Sequence, residues 1–224
     1  MFYEPGKSEH GLPHDPFKSC VVPRPIGWIS TRSRDGVDNL APYSQFTNVS
    51  FAPPMVMFSA NQTTEGKRKD SVINAEETGV FGWNMATWDL REAVNLSAQE
   101  VPHGHDEFGL ANLAKTEARK ICAPLVKDSP VRFECRYLQT VRLPGEGVMG
   151  TVDVVFGQVI GVHIDDAYLT EDGRIDILRA RPIARLGYYD YTSVESLFQM
   201  IIPGSEKLLA GLEGSSAKAE REAG

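Results

Sequence analysis

Hydrophobic positions in this chain recur mostly at every second residue, in short runs broken by turn-forming residues, which is the spacing of β-strands. Pro25 to Ser33 reads as a strand, Arg34-Asp35-Gly36 as a tight turn, and Val37 to Asn48 as the returning strand. In that second strand Leu40, Tyr43, Phe46 and Val49 alternate with a polar series. A Pro53-Pro54 corner leads into the apolar strand Met55 to Phe58, which ends in Ser59-Ala60-Asn61. Helical spacing appears first at Val72, Ile73 and Ala75, with Asp70 and Ser71 as N-cap types and Gly79 as the stop.

Val80 to Asn84 is another short strand, and Thr87 is placed to cap a helix carrying Leu90, Ala93, Val94 and Ser97. The segment Gln99 to Asp128 reads as a long excursion pinned by Phe108, Leu110, Leu113, Ile121 and Leu125, and suited to lie over a ligand mouth. From Val131 to Leu138 the alternation gives a strand with one wet face, Arg132, Glu134 and Arg136, and a packed face that includes Cys135. Gly145-Glu146-Gly147-Val148-Met149-Gly150 has the letters of a dinucleotide fingerprint, but β-branched residues follow it where a helix would be needed. Those glycines therefore punctuate a hairpin. Glu171-Asp172-Gly173 makes another turn and Pro182 to Gly187 a last strand; Ser193 to Leu212 has the pattern of a helix broken at Pro203-Gly204, before a polar, frayed tail. Many short strands and few helices fit one barrel domain over 20–191, with an irregular arm at 1–19 and a helix and tail at 192–224.

Composition narrows the partners. Thirty acidic against twenty-three basic side chains leave a net charge of -7, which argues against nucleic acid or an anionic membrane as the main partner. The three cysteines, Cys20, Cys122 and Cys135, are too scattered for a disulfide framework and suit a reducing cytoplasm. No apolar run approaches a membrane span or a signal core. His103 and His105 have close metal-ligand spacing without a third partner nearby, and there is no Ser-His-Asp or paired-carboxylate pattern.

Basic character is concentrated at Lys67, Arg68 and Lys69, just before the helix start. Free N–H groups at a helix N-terminus, flanked by cations, favour an anion and phosphate above all. Ser59, Asn61, Thr63 and Thr64 add short hydrogen-bonding side chains at the end of the preceding strand. The opposing reading is a solvated turn whose charges bind nothing.

Several segments, in order, carry a resemblance: Arg24-Pro-Ile-Gly-Trp-Ile-Ser-Thr31, Asn39-Leu-Ala-Pro-Tyr-Ser44, Pro53-Pro54, Lys69-Asp70-Ser71, Asp106-Glu-Phe-Gly-Leu110, Glu134-Cys135 and Arg185-Leu-Gly187. Together they resemble the flavin reductase-like family of FMN-binding split-barrel proteins, in its longer members. The resemblance implies a mainly β split barrel and a homodimer with FMN in a groove near the partner subunit. It implies hydride transfer from NADH or NADPH to the flavin, with reduced flavin passed to a separate flavin-dependent oxygenase. An FMN-binding electron carrier without nicotinamide oxidation is the alternative. A pyridoxamine-phosphate oxidase type, which needs a second phosphate site, and a non-flavin anion-binding barrel are lesser ones.

By the same resemblance Asn39, Ala41, Tyr43, Ser44, Gln45 and Asn48 run along the isoalloxazine and ribityl chain, with Ser44 and Gln45 facing the ring. Ser59, Ala60 and Asn61 border the ribityl and phosphate, while Lys67, Lys69 and Ser71 hold the phosphate. Trp28 and Tyr43 are candidates to cover the ring, or else barrel core. Arg185 reaches the site from its own or the neighbouring subunit. Asp70 caps the helix, since a carboxylate beside a phosphate would repel it.

Overall fold

The computed structural model describes residues 1–200. After a mostly exposed arm, a one-turn helix α1 (Phe17–Cys20) leads into β1 (Arg24–Pro25), β2 (Gly27–Arg32), β3 (Asp38–Tyr43), β4 (Phe46–Phe51) and β5 (Pro54–Asn61). Helix α2 (Asp70–Thr78), β6 (Val80–Asn84), α3 (Arg91–Leu96), α4 (Glu107–Leu110), β7 (Lys115–Thr116) and β8 (Leu125–Val126) follow. Two long strands, β9 (Val131–Leu143) and β10 (Val152–Ile164), then α5 (Ile177–Ala180), β11 (Ile183–Gly187) and β12 (Asp190–Ser193) complete the described chain. No helix among the described residues is long and apolar enough to cross a membrane.

Seven strands form the main sheet in the order β3-β2-β6-β9-β10-β5-β4, antiparallel throughout. The sheet is not closed, since β3 and β4 remain its two edges, and this fits the expected split barrel. The continuous strand expected from Val37 to Asn48 is broken at Ser44-Gln45, where the chain leaves its pairing with β2 and joins β5. Pro42, opposite Trp28 in the register, has no N–H to donate and marks the approach to that break. Gln45 still ties the corner to β5, its carbonyl accepting from Ser59 N at 2.9 Å.

Period-two alternation puts core on both faces of the β2–β3 pair. Ile29, with Phe46, Val56, Phe58, Phe81, Trp83, Cys135 and Val155, fills one cluster, in which Phe46 stacks on Trp83 with ring centroids 5.4 Å apart. Trp28 and Leu40 point the other way, into a cluster with Val94 of α3, Phe108 of α4 and Val126 of β8. Trp28 is fully buried, with its indole N–H on Ser97 Oγ at 2.9 Å, so it is core. Cys135 is also core, and burial pushes its thiol up.

Three local expectations change. Glu134, placed by alternation on a wet face, is 1% exposed because the excursion lies over it. Its carboxylate accepts from Arg119 N and Lys120 N at 2.8 and 2.6 Å and contacts His163 Nε2 at 2.5 Å. Thr87 does not cap a helix by its side chain; it bridges Pro182, and α3 begins only at Arg91. The segment 194–200 has no helix, and 201–212 lies outside the described residues.

Candidate functional site

The 63–69 loop joins β5 to α2. Lys69, extended at φ -73° and ψ 144°, is the N-cap residue, and Asp70 and Ser71 are the first residues of the helix. Asp70 therefore does not cap it. Its carboxylate faces the excursion instead, with Oδ1 2.7 Å from His103 Nδ1 and Oδ2 accepting from Gly104 N at 3.3 Å. At the other end Gly79 takes the left-handed conformation, φ 76°, that stops the helix.

A short buried network locks α2 onto the sheet. Asn39 Nδ2 donates to Ser71 Oγ at 2.8 Å and to Thr31 Oγ1 at 3.2 Å, and Asn74 Nδ2 reaches the same threonine at 3.1 Å. Polar residues at these positions would cost stability if unpaired, so each holds another in place. Leu40 N donates to Glu107 Oε2 at 2.9 Å, tying α4 to β3. Burial raises the Glu107 carboxyl, and the nearby charges of Asp70 and Asp106 add to it.

Between β3, the loop, α2 and the excursion opens a cleft of about 990 Å³, at the upper end of the range for pockets that take drug-sized or cofactor-sized molecules. Asn39, Ala41, Tyr43, Lys67 and Lys69 line it. Ser71 is buried just behind, bonded to Asn39. Tyr43 is nearly buried, packs on Phe58 with ring centroids 5.1 Å apart, and has its phenol pushed up by burial.

The other expected site residues are placed elsewhere. Ser44, Gln45 and Asn48 lie at or beside the β4 edge, with Gln45 and Asn48 exposed. Ala60 is in the sheet core, and Ser59 pairs with Gln45. Asn61 Nδ2 donates to Met149 O, at the tip of the β9–β10 hairpin, at 2.9 Å. Arg185 belongs to the small β1-β11-β12 sheet, with its guanidinium 4.6 Å from the Tyr191 ring centroid and bonded to Tyr188 O.

All three loop cations are paired with carboxylates. Lys67 Nζ meets Glu65 at 2.6 Å, Arg68 meets Glu76 at 2.6 Å and Asp153 at 3.0 Å, and Lys69 meets Glu100 at 2.9 Å. Glu100, Gln62, Glu107 and Arg142 line the cleft and were not singled out from sequence. Glu100 and Glu107 come from the excursion, where no local pattern signals what they touch. Gln62 is 2% exposed, and its Oε1 has no hydrogen-bond partner among the described residues, although Nε2 donates to Asp153 at 3.3 Å. A buried acceptor of this kind on a cleft wall suits a ligand donor.

Comparison with known proteins agrees on one relationship. The model of the flavin reductase like domain matches residues 19–192. An uncharacterized protein of Aquifex aeolicus is 35% identical over 171 residues, covering 75% of this chain and 84% of its own. The crystal structure of nitrilotriacetate monooxygenase component B from Bacillus cereus superposes with a TM-score of 0.81 at 28% identity, covering 89% of this chain and 98% of that one. Flavoredoxin of Desulfovibrio vulgaris, at 17% identity and a TM-score of 0.70, shares the fold, over 89% of this chain and 100% of its own. With a family match over most of the chain and a sheet that splits at Ser44-Gln45, this protein is a member of the flavin reductase-like family and has its split-barrel fold.

Proposed function

We propose that this chain binds FMN in the cleft between β3 and the 63–69 loop and acts as an NADH- or NADPH-dependent flavin reductase. The observation that carries this reading is the meeting, in one cleft, of the β3 surface at Asn39, Ala41 and Tyr43 with a loop that offers Thr64 and Lys69 at a helix N-terminus. The first is long enough for a ring system and the second has the donors for a phosphate. Gln62 Oε1 supplies an acceptor that ribityl hydroxyls or a flavin N–H would satisfy.

Bound FMN supplies the hydride-accepting ring. The chain's own part is to hold that ring against the β3 surface, to anchor the phosphate through Thr64, Lys67 and Lys69, and to limit water with the 97–103 strap. No acid or base from the protein is required for hydride transfer itself.

Likeness to a monooxygenase component supports a further step, delivery of reduced flavin to a separate oxygenase. We also propose a homodimer. Val49 and Phe51 on edge strand β4 are 46% and 70% exposed, and a second copy laid on that edge would cover them together with Gln45 and Asn48. Sedimentation at micromolar protein should give a dimer, and a monomer that still binds FMN would contradict this arrangement.

The test of the activity is spectroscopic and kinetic. Added FMN should change its absorbance and fluorescence on binding, and NADH or NADPH should be oxidised with free FMN far faster than without protein. Binding without nicotinamide oxidation would make the protein an electron carrier. No change with FMN would remove the flavin site altogether.

A further inference from the structure

Glu100 reaches across the cleft to the opposite wall. Its carboxylate accepts from Thr64 N at 3.0 and 3.3 Å and from Thr64 Oγ1, and Lys69 Nζ lies 2.9 Å from Oε2. A backbone N–H, a hydroxyl and an ammonium converging on two oxygens are the donor set that an oxyanion of a phosphate would use. Lys67 and Arg68 have carboxylate partners from their own loop, from α2 or from β10. Lys69 alone of the three takes its partner from the far side of the cleft.

The strap that carries Glu100 is fixed on both sides of it. Ser97 is 1% exposed and is held by the Trp28 indole N–H at 2.9 Å, while His103 and Gly104 hold Asp70 at 2.7 and 3.3 Å. Between these anchors Gln99, Glu100, Val101 and Pro102 line the cleft. A phosphate and a carboxylate cannot share the same three donors without placing two negative charges in contact.

We propose that Glu100 is an affinity-setting residue of the flavin site: it holds the phosphate donors of the 63–69 loop, and a phosphate-bearing flavin binds by displacing it. This rests on the reading of the cleft as the FMN site. The exchange replaces one anion by another, so the phosphate contributes less than its contacts alone would give. FMN then binds as an exchangeable substrate, which fits a reductase that hands on its flavin. Hydrogen bonds from the Thr64 hydroxyl and Lys69 hold the Glu100 carboxyl down to about 2, so protonation does not release it near neutral pH.

The experiment uses the full chain with Glu100→Gln and, separately, Glu100→Ala, and measures FMN and riboflavin affinity by flavin fluorescence together with the FMN dissociation rate. The expected result is FMN bound tighter by a factor of about 10, the low end for one charge-assisted contact because the Glu100 side chain is partly exposed, with slower dissociation and riboflavin unchanged. The inhibition constant of inorganic phosphate against FMN should be lower in both variants than in the parent protein. An unchanged ratio of FMN to riboflavin affinity while the parent binds FMN would overturn the role of Glu100 and leave the flavin site standing. Selective weakening of FMN in both variants would also overturn it, since the carboxylate would then belong to the bound site. If the parent protein binds neither flavin, the site assignment and this inference fall together.

Discussion

Arg68 Nε donates to Asp153 Oδ2 at 3.0 Å, an ion pair between the 63–69 loop and the start of β10. Asp153 is 1% exposed, and its other oxygen has no partner among the described residues. The same guanidinium grips Glu76 of α2 through two bonds of 2.7 and 2.6 Å. The middle cation of the basic triplet, which lines the cleft with its neighbours, is therefore also a bracket between loop, helix and β10.

Arg68→Ala should leave the buried Asp153 charge with only the weak Gln62 contact. Removing one partner of a buried pair costs about 3–5 kcal/mol, and the partly exposed guanidinium places this case near the lower end. Urea unfolding should show that loss, and adding Asp153→Asn should restore part of it. A change under about 0.5 kcal/mol in the single variant would mean that the pair does not hold the loop.

Much of the fold was legible because it rests on local rules. The turn at Arg34-Asp35-Gly36, the strand Val80 to Asn84, the stop at Gly79 and the burial of Cys135 all follow from spacing and backbone preference. What was not legible depends on contacts distant in sequence. Glu134 sits at a polar position of its strand, but the excursion and His163 surround it, so alternation assigned it to the wrong environment. Asp70 has cap chemistry, yet the helix starts at that residue and His103, 33 residues away, claims its carboxylate. In the cleft the cations could be read from sequence. Their carboxylate partners Glu76, Glu100 and Asp153 could not.

Glu107 tests how the excursion is attached. Its Oε2 accepts from Leu40 N in a site where burial raises the carboxyl, so the neutral acid is favoured in the fold. An acid whose folded value is raised contributes stability below its unfolded value and loses it as pH rises through the folded one. Glu107→Gln keeps an acceptor and removes the charge, and should be at least as stable as the parent at pH 7. Glu107→Ala leaves Leu40 N–H unpaired and should cost about 1–3 kcal/mol in thermal or urea unfolding. Equal loss in both variants would show that packing, and not the hydrogen bond, is what Glu107 provides.

His103 and Asp70 give the strap a pH dependence. The hydrogen bond and charge of Asp70 raise the His103 imidazole above its usual value. For a base raised in this way the added stability is present below the unfolded value of about 6.5 and is lost as pH rises through the folded one. Hydrogen exchange at Gly104 N, which also bonds Asp70, should therefore be better protected at pH 6 than at pH 8, after correction for intrinsic rates. NMR titration should place His103 above about 6.5 in the parent and close to it in Asp70→Asn. The same midpoint in both proteins would mean that the pair is not formed in solution.

Lys67 and Lys69 should not contribute equally to flavin affinity, although they flank the same residue. Lys67 has a side chain 73% exposed and bonds to Glu65, equally a surface group, whereas Lys69 is 27% exposed and turned across the cleft toward Glu100. An exposed ion is screened by water and salt, and a partly sheltered one is screened less. Lys69→Ala should therefore weaken FMN by roughly tenfold, the low end for one charge-assisted hydrogen bond, while Lys67→Ala should change it by less than about threefold. Neither variant should move riboflavin, which lacks the phosphate. The double variant Lys67→Ala with Lys69→Ala, keeping Asp70 and Ser71 so that the helix start survives, should lose at least as much FMN affinity as Lys69→Ala alone, with a departure from the sum of the two effects reporting their shared phosphate. Fluorescence titration with both flavins measures all of these. Equal losses for FMN and riboflavin would indicate damage to the β3 surface or the fold, and unchanged FMN affinity in the double variant would make the basic loop a solvated turn.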